Sequence, residues 1–171
     1  MCCTKFPYAW SRIRVKIIII LVICILPQIA SGQLSAPKRL MTDLLEHTES
    51  VFQNGLLTNI PIEEALQRQD IQVARIHSST PRFSWQMVSE EPNTIQSAFQ
   101  IQVATNPELL LKDTPDMWDS RKVISPKNTA IIYAGKQLKP NTCYYWSVRV
   151  WNQNDSISPD SEIKAFVTAK E

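Results

Sequence analysis

The feature that most constrains the fold is a change in hydrophobic period at about residue 71. Beyond that point apolar and polar residues alternate in short segments, and period-two alternation is typical of strands with one buried face. It predicts strands over residues 73–76, 82–88, 98–104, 129–133, 143–151 and 163–168. Turn-forming pairs such as Asn106-Pro107 and Asn154-Asp155 separate these segments, and no helical pattern lies between them. Short strands at this spacing indicate an all-β sandwich.

The same alternation assigns side chains to faces. One side chain in two should point into the core, because successive Cβ atoms on a strand point to opposite faces. The residues predicted to face the core are Phe83, Trp85 and Met87, then Phe99, Ile101 and Val103, then Tyr144, Trp146, Val148 and Val150. Trp85, Tyr144 and Trp146 are assigned to the structural core, since buried aromatic side chains each contribute about 1.5–3 kcal/mol through burial.

The first 32 residues have the features of a signal peptide. A basic segment precedes an apolar run of ten residues over 17–26, which is shorter than the roughly 20 residues of a spanning helix. Small residues then predict cleavage between Gly32 and Gln33. An uncleaved anchor remains the alternative, and a lipoprotein site at Cys24 is disfavoured by the large Ile23. We therefore expect export to the periplasm or the extracellular space of a bacterium, with no stable membrane insertion after cleavage.

The segment between the signal peptide and the alternating region has a different pattern. Residues 33–37 are expected to be a linker, and apolar residues spaced by three and four predict a helix over 38–54, capped by Gly55. A second short helix is predicted over 61–69. The chain is thus divided into a signal peptide (1–32), a linker with a helical extension (33–72) and a β-sandwich (73–171).

Composition excludes several classes of function. A formal net charge of +2 argues against nucleic acid as a partner, and three glycines leave little room for phosphate-binding loops. No cofactor is expected.

His47 and His77 lack a third ligand at zinc spacing, so no metal site is assigned, although loop oxygens near Asp113, Asp116 and Asp155 leave calcium open. Cys143 is the one cysteine after the signal peptide, and we expect a small, half-buried hydrophobic side chain.

The acidic pairs do not suggest catalysis. A glycosidase needs two carboxylates facing each other across a sugar, about 5–9.5 Å apart depending on mechanism. Glu90 and Glu91 would point to opposite faces of a strand. Asp119 lies in a loop, where a short acidic side chain commonly caps a turn by accepting backbone hydrogen bonds.

A local motif identifies the type of sandwich. The series Leu138-x-Pro140-x-Thr142-x-Tyr144 is similar to the corner of fibronectin type III and immunoglobulin-like domains, in which a tyrosine hydroxyl bonds to nearby backbone. Trp85 resembles the core tryptophan on the second strand of those domains. The predicted fold is therefore an immunoglobulin/fibronectin type III-like β-sandwich preceded by a short helical extension.

Five sequence blocks extend this resemblance to a family. Residues 81–85, 96–104, 118–123, 133–138 and 144–151 follow one another in an order and spacing that resemble the N-terminal β-sandwich domain of bacterial α-L-rhamnosidases of glycoside hydrolase family 78. The resemblance covers about residues 74–168. It implies an accessory, structural domain without catalytic residues, because the family's acids lie in a later α/α-barrel domain. The chain would then be a truncated or fragmentary form.

One position departs from the family pattern. Arg121 stands where the family often has glycine after Trp-Asp-Ser, which puts a left-handed backbone there in doubt.

The face of strand 143–151 that points away from the core offers a possible binding surface. Tyr145, Arg149 and Trp151 share it, and this combination could stack on a sugar ring and donate to its hydroxyls. The alternative, which we favour, is that the face is covered by the N-terminal helix or a neighbouring domain. Possible partners are therefore a glycan or adjacent glycosidase domains. A carbohydrate-binding module and a surface protein-interaction module remain alternatives to the accessory domain.

Overall fold

The protein is described here by a computed structural model, which covers residues 34–170; the predicted signal peptide and its cleavage site at Gly32 and Gln33 lie outside the described residues. The strands of the described part are β1 (Leu34–Thr42), β2 (Val51–Gln53), β3 (Leu56–Thr58), β4 (Ile71–Val73), β5 (Arg75–Ile76), β6 (Arg82–Ser89), β7 (Gln96–Ala104), β8 (Trp118–Asp119), β9 (Val123–Ile124), β10 (Ile131–Ile132), β11 (Cys143–Asn152) and β12 (Lys164–Thr168). Two short helices accompany them, α1 (Ile62–Ala65) and α2 (Pro107–Leu111).

Two sheets form the sandwich. One has the order β1-β6-β10, and the other has the order β5-β12-β11-β7-β8, with β9 also paired to β7. The long antiparallel strands β7 and β11 form the centre of the larger sheet, in register from Tyr145 opposite Ala104 to Trp151 opposite Ala98. The predicted all-β sandwich is confirmed, and its four longest predicted strands correspond to β6, β7, β11 and β12.

The main core lies between these sheets. It contains every side chain that the alternation assigned inward, with Met87 only partly buried at its edge. Phe83 of the β1-β6-β10 sheet and Trp146 of the larger sheet have ring centroids 4.5 Å apart. Phe83 also packs against Phe166, with a centroid distance of 5.9 Å. Contacts of this kind between aromatic rings add to the free energy gained by burial.

Hydrogen bonds fix two of the core aromatics. The Tyr144 hydroxyl accepts a hydrogen bond from the backbone N–H of Lys139 at 2.8 Å, which closes the corner before β11. The Trp85 indole N–H donates to Gln96 Oε1 at 3.0 Å, and Gln96 in turn donates to the Lys127 carbonyl at 2.7 Å. A buried polar group needs such partners, because an unpaired one is costly.

The helix predicted over residues 38–54 is wrong. Residues 34–42 form β1, which pairs antiparallel with β6, so this segment is a strand of the sandwich rather than a linker and helix. Two register shifts interrupt the pairing, at Ser35/Lys38 and at Lys38/Met41. These irregularities bury Leu34, Pro37 and Leu40 at intervals of three residues. The apolar residues whose spacing predicted the helix do not share one face, since Leu40 and Val51 are buried whereas Leu44 and Leu45 are 72% and 47% exposed.

The second half of the predicted helix is a hairpin. Gln53 pairs with Leu56, and the intervening Asn54 and Gly55 have φ of 51° and 80°. Positive φ at both central residues is the geometry of a two-residue turn that favours Asn-Gly, so Gly55 serves a hairpin and not a helix cap. The second predicted helix, over 61–69, is present as the single turn α1.

A small sheet covers part of the outer face of the larger sheet. Its order is β3-β2-β4. Together with α1 it places Val51, Ile62 and Ala65 in a second buried cluster. The larger sheet contributes Cys143, Ala165 and Val167 to that cluster. Within residues 34–170, no helix is long and apolar enough to cross a membrane.

Candidate functional site

The predicted carbohydrate contact lies on the face of β11 that points away from the main core. Tyr145, Arg149 and Trp151 alternate along the strand with the core residues and are all partly buried. From Tyr145 to Trp151 the extended chain runs about 20 Å, at roughly 3.3 Å per residue. The three side chains therefore share a face, but the structure gives each of them a separate environment.

Arg149 is held by two carboxylates. Its Nε donates to Asp160 Oδ1 at 2.7 Å and its Nη2 to Asp113 Oδ1 at 2.8 Å, with 20 % of the side chain exposed. A hydrogen bond from Gln102 lowers the pKa of Asp113; burial opposes this shift, and the nearby charge of Arg149 adds to it. A guanidinium bound on two sides in this way has few donors left for a ligand.

Trp151 is covered by a lysine. Lys122 Nζ lies 4.9 Å from the centroid of the indole ring, within cation–π distance, and also pairs with Asp155. Trp151 forms an isolated antiparallel bridge with Ile157 on the following loop. The ring is thus engaged by the protein itself and does not form an open platform with Arg149.

Tyr145 borders an open cleft of about 450 Å³ between α1 and the larger sheet. The second buried cluster supports one part of the ring. The residues that line the cleft are Glu49, Ile60, Pro61, Ile62, Glu63, Pro107, Tyr145, Ile163 and Ala165. Of the predicted trio, Tyr145 is the residue that lines this cleft.

Glu49 brings a carboxylate into this cleft. One of its oxygens, Oε1, accepts a hydrogen bond from Lys164 Nζ at 2.6 Å, whereas Oε2 is buried and has no partner among the described residues. Burial lowers the pKa of Lys164, but the hydrogen bond from Lys164 to Glu49 and the adjacent negative charges outweigh it and leave this pKa raised. Glu49 was not predicted as a site residue, because the helix predicted over 38–54 gave it no cleft to line. The Asn54-Gly55 pair, which is typical of a hairpin turn, was the signal in the sequence that contradicts such a helix.

The remaining acidic residues support loops. Asp119 Oδ1 accepts from the backbone N–H of Arg121 and from Gln100 Nε2, both at 2.8 Å, so the predicted turn cap is confirmed. Arg121 has a φ of 53°, so the backbone is left-handed at this position although the residue is not glycine. Asp116 accepts from the backbone N–H and the hydroxyl of Thr105; burial raises its pKa, but these bonds outweigh it and lower the pKa below its usual range.

Metal ligands are not grouped in the part of the chain that the structure describes. Across residues 34–170, no three histidine, cysteine or acidic side chains come together as a metal site would require. His47 and His77 are both exposed. The loop carboxylates considered for calcium contact protein groups instead: Asp113 contacts Arg149, and Asp155 contacts Lys122.

Cys143 is buried in the second cluster, with 8 % of its surface exposed. Burial, with a smaller contribution from the charge of Glu63, raises the pKa of the thiol to about 12. Since the thiolate is the nucleophilic form, this cysteine has the properties of a packed hydrophobic side chain.

Comparison with known families agrees with this geometry. Residues 67–170, which contain the corner, the aromatic core and β11, match the family described as Rha78A-like, N-terminal immunoglobulin domain. The chain belongs to this family. The resemblance to the N-terminal β-sandwich of α-L-rhamnosidases is thereby confirmed.

Curated relatives of this N-terminal immunoglobulin domain are α-L-rhamnosidases. One from Streptomyces avermitilis is 45% identical over 83 residues, which cover 48% of this chain and 8% of the relative. One from Formosa agariphila is 37% identical over 111 residues, covering 65% of this chain and 12% of the relative. The chain therefore corresponds to a small part of each of these enzymes.

Solved structures show the same correspondence. An α-L-rhamnosidase from Dictyoglumus thermophilum aligns with 81% of this chain and 13% of its own, with a TM-score of 0.63 and 27% identity. The Streptomyces avermitilis enzyme, solved in complex with L-rhamnose, aligns with 56% of this chain and 9% of its own, with a TM-score of 0.53 and 41% identity.

Proposed function

We propose that this protein is a non-catalytic accessory domain of an α-L-rhamnosidase-like glycoside hydrolase, which packs against and positions neighbouring domains of that enzyme. The observation that carries the proposal is the match of residues 67–170 to the N-terminal immunoglobulin domain of this family. Four curated α-L-rhamnosidases match this chain, and the chain covers 8–12% of the length of each.

The acidic side chains support a structural role. Asp113 and Asp160 bind Arg149, Asp116 binds Thr105, and Asp119 caps its own turn. Carboxylates that catalyse glycoside hydrolysis must face a sugar with one of them protonated, which requires a raised pKa. The pKa values of Asp113 and Asp116 are lowered instead.

The small sheet offers a surface for a neighbouring domain. Phe52 and Leu57 are paired across β2 and β3, so they share one face of the small sheet, and they are 38% and 68% exposed. Adjacent exposed apolar side chains are typical of interaction surfaces. We expect this surface to contact the rest of the enzyme.

A domain exchange tests the proposal. In the Streptomyces avermitilis enzyme, the segment that matches this chain would be deleted or replaced by this protein's sandwich. The replaced enzyme should regain the melting temperature and turnover that the deletion loses, because the sandwich supplies the same packing surface. A replaced enzyme that behaves like the deletion would contradict an accessory role.

A matched variant separates packing from mere chain length. The same replacement carrying Trp85→Ala has an equal length but a damaged core. It should behave like the deletion, whereas a replacement carrying the exposed change Gln86→Ala should behave like the intact sandwich.

We further propose export to the periplasm or the extracellular space. The support is the basic segment, the short apolar run and the small residues before Gln33. N-terminal sequencing of the protein secreted from a bacterial host should begin at Gln33. A mature protein that retains residues 1–32 would contradict this proposal.

A further inference from the structure

Strand β1 lies at the edge of the β1-β6-β10 sheet and closes one side of the main core. It pairs antiparallel with β6, and it contributes Leu34 and Leu40, which are 2% and 1% exposed, to that core. Without β1 the core would be open to water and β6 would expose an unpaired edge, both of which are unfavourable. The sandwich therefore needs a β1 strand beside β6, but this pairing does not require that the strand come from the same chain.

A short connection, residues 43–47, joins β1 to the rest of the sandwich; we call it the hinge. On one side of it Thr42 pairs with Phe83 of β6. On the other side the Thr48 hydroxyl, which is buried, donates to the Ala165 carbonyl of β12 at 2.6 Å. The hinge thus runs between an attachment on one sheet and an attachment on the other.

The hinge contains a tight turn that its sequence does not favour. Thr42 and Leu45 each donate a backbone hydrogen bond to the carbonyl of the other at 3.0 Å. The two residues between them, Asp43 and Leu44, have φ of 48° and 67°. Positive φ at both central residues favours Asn-Gly; aspartate tolerates it, but the Cβ of a leucine crowds the backbone there. The closed turn therefore holds strain at Leu44 that an extended backbone would release.

Side-chain packing does little to offset this strain, because Leu44 is 72% exposed and Leu45 is 47% exposed. Asp43, by contrast, is fixed to β6: its N–H donates to the Arg82 carbonyl and its Oδ1 accepts from the Arg82 N–H, both at 2.8 Å. Asp43 can therefore stay with β1 and β6 as one unit, and a change of direction in the hinge falls at Leu44.

We propose that two copies of this chain exchange β1, so that β1 of each copy pairs with β6 of the other and closes its core. The exchanged dimer keeps the contacts of β1 with the sandwich and replaces the turn at Leu44 by extended backbone. Short connections under strain favour exchange of this kind. The partner is thus a second copy of the chain. The proposal does not depend on the accessory role, because oligomeric state and rescue of an enzyme are measured separately.

A disulfide between two copies tests the exchange directly. Lys38 of β1 and Gln86 of β6 are paired and both exposed, and paired positions on neighbouring strands lie within disulfide distance. Lys38→Cys and Gln86→Cys are placed in separate chains whose four native cysteines are replaced by alanine. The two chains are mixed in urea, refolded together at about 1 mM, where even weak association is populated, and oxidised. A disulfide-linked pair with one chain of each kind should form.

The matched control replaces Gln86→Cys by Ser79→Cys, which is exposed but lies outside β6. Its mixture with Lys38→Cys should give about tenfold less linked pair, because a disulfide forms only between positions a few ångströms apart. A chain that carries both Lys38→Cys and Gln86→Cys, oxidised at about 1 μM to disfavour association, serves as the positive control by linking to itself. Equal linkage in the two mixtures, or linkage in neither, would overturn the proposal.

Substitution of Leu44 tests the cause of the exchange. Leu44→Gly relaxes the closed turn, so it should lower the association constant of the dimer about a hundredfold, since each dimer straightens two hinges. Leu44→Ala keeps a Cβ and therefore the strain, and it should lower this constant much less. An unchanged constant in Leu44→Gly, or equal losses in the two variants, would contradict a strained hinge as the cause.

Sedimentation of the chain without engineered cysteines gives an independent measurement. After refolding at about 1 mM it should contain a dimer that separates slowly on dilution, because β1 must leave the core before the copies part. Leu57→Ser alters the exposed face of the small sheet and should leave this dimer unchanged. A chain that stays monomeric, or a dimer that is lost in Leu57→Ser, would overturn the proposal.

Discussion

Tyr144 and Tyr145 are adjacent in the sequence and serve opposite faces of β11. Tyr144 is 1% exposed and closes the corner through the Lys139 N–H, while Tyr145 borders the cleft with its ring partly exposed. The difference follows from the strand itself, because neighbouring side chains point to opposite faces. Tyr144 is therefore part of the main core, whereas Tyr145 packs against the second cluster and is partly exposed.

Tyr144→Phe should lower the free energy of unfolding by about 1–2 kcal/mol, because the backbone N–H of Lys139 loses its acceptor while the ring stays packed. Urea denaturation measures the change. Tyr145→Phe is the matched control, since its hydroxyl makes no hydrogen bond within residues 34–170, and it should change stability by less than about 0.5 kcal/mol. Equal effects of the two changes would contradict the role of the corner.

Cys143 should make the protein sensitive to alkaline pH. Its pKa is raised to about 12 in the folded protein, against about 8.5 in an unfolded chain. Below about pH 8.5 both states keep the thiol protonated and the stability is fully present; above it only the unfolded state ionises, so unfolding becomes easier by up to about 1.4 kcal/mol per pH unit.

The measurement is urea denaturation between about pH 7 and 10, which brackets the unfolded pKa. Cys143→Ala should lose stability less steeply over this range than the parent chain. Labelling supplies a second test: iodoacetamide should modify Cys143 slowly in the folded protein, and faster at Ser79→Cys, an exposed position, placed in a Cys143→Ala background. Parallel pH profiles, or equally fast labelling, would contradict the buried thiol.

Elements differ in how far their sequence determines them. Strands β6, β7 and β11 follow the alternation closely, because each buries one regular face between packed sheets. Strand β1 does not, because two register shifts interrupt its pairing and its buried residues recur at intervals of three instead of two. Local pattern cannot separate these cases, and pairing with β6, distant in sequence, determines the outcome.

The candidate site was predictable only in part for the same reason. Tyr145 could be assigned to the outer face by its position on a regular strand. Glu49 lies between two irregular elements, β1 and the β2–β3 hairpin, and reaches the cleft through tertiary packing against Lys164. The engagement of Arg149 depends on Asp113 and Asp160, which come from two different loops. Long-range contacts of this kind have no signature in local sequence.

Substitution of Gly55 and of Gly135 should lower stability for different reasons. Gly55 has φ of 80° in the hairpin turn, and an added Cβ would meet nothing within 4 Å, so Gly55→Ala should cost about 1 kcal/mol from backbone strain alone. At Gly135 an added Cβ would lie 2.5 Å from Trp118 Cβ and 2.6 Å from the Met117 carbonyl oxygen. Gly135→Ala should therefore cost more, about 2–3 kcal/mol, because backbone and core must shift.

Urea denaturation of the two variants compares the strain with the clash. A larger loss at Gly55 than at Gly135 would contradict the packing of the loop around Trp118. Gly135→Ser should be at least as damaging as Gly135→Ala, whereas Gly55→Asn should be nearly neutral, because asparagine tolerates positive φ.

At the scale of the whole described molecule, two buried clusters hold different parts of the structure together. The main cluster joins the two sheets of the sandwich, and the second attaches the small sheet and α1 to the outer face of the larger sheet. The alternative of a covered outer face is thus realised at one end of β11, by strands and one helical turn in place of a long helix. The other end is engaged by Asp113, Asp160 and Lys122.

The family relationship places this molecule beside enzymes much longer than itself, since it corresponds to 8–12% of each curated relative. The function that we propose for it is that of a scaffold domain without hydrolytic activity. Three loop aspartates bind protein groups: Asp113 binds Arg149, Asp116 binds Thr105, and Asp119 caps its own turn.

Turnover of an aryl α-L-rhamnoside by the purified protein is the most direct test of this account. The protein should release no more phenol than buffer alone, while a complete α-L-rhamnosidase, such as that of Streptomyces avermitilis, should hydrolyse the substrate under the same conditions. Sustained turnover by pure protein, lost on replacing one of its carboxylates such as Glu49 or Glu63, would contradict the account.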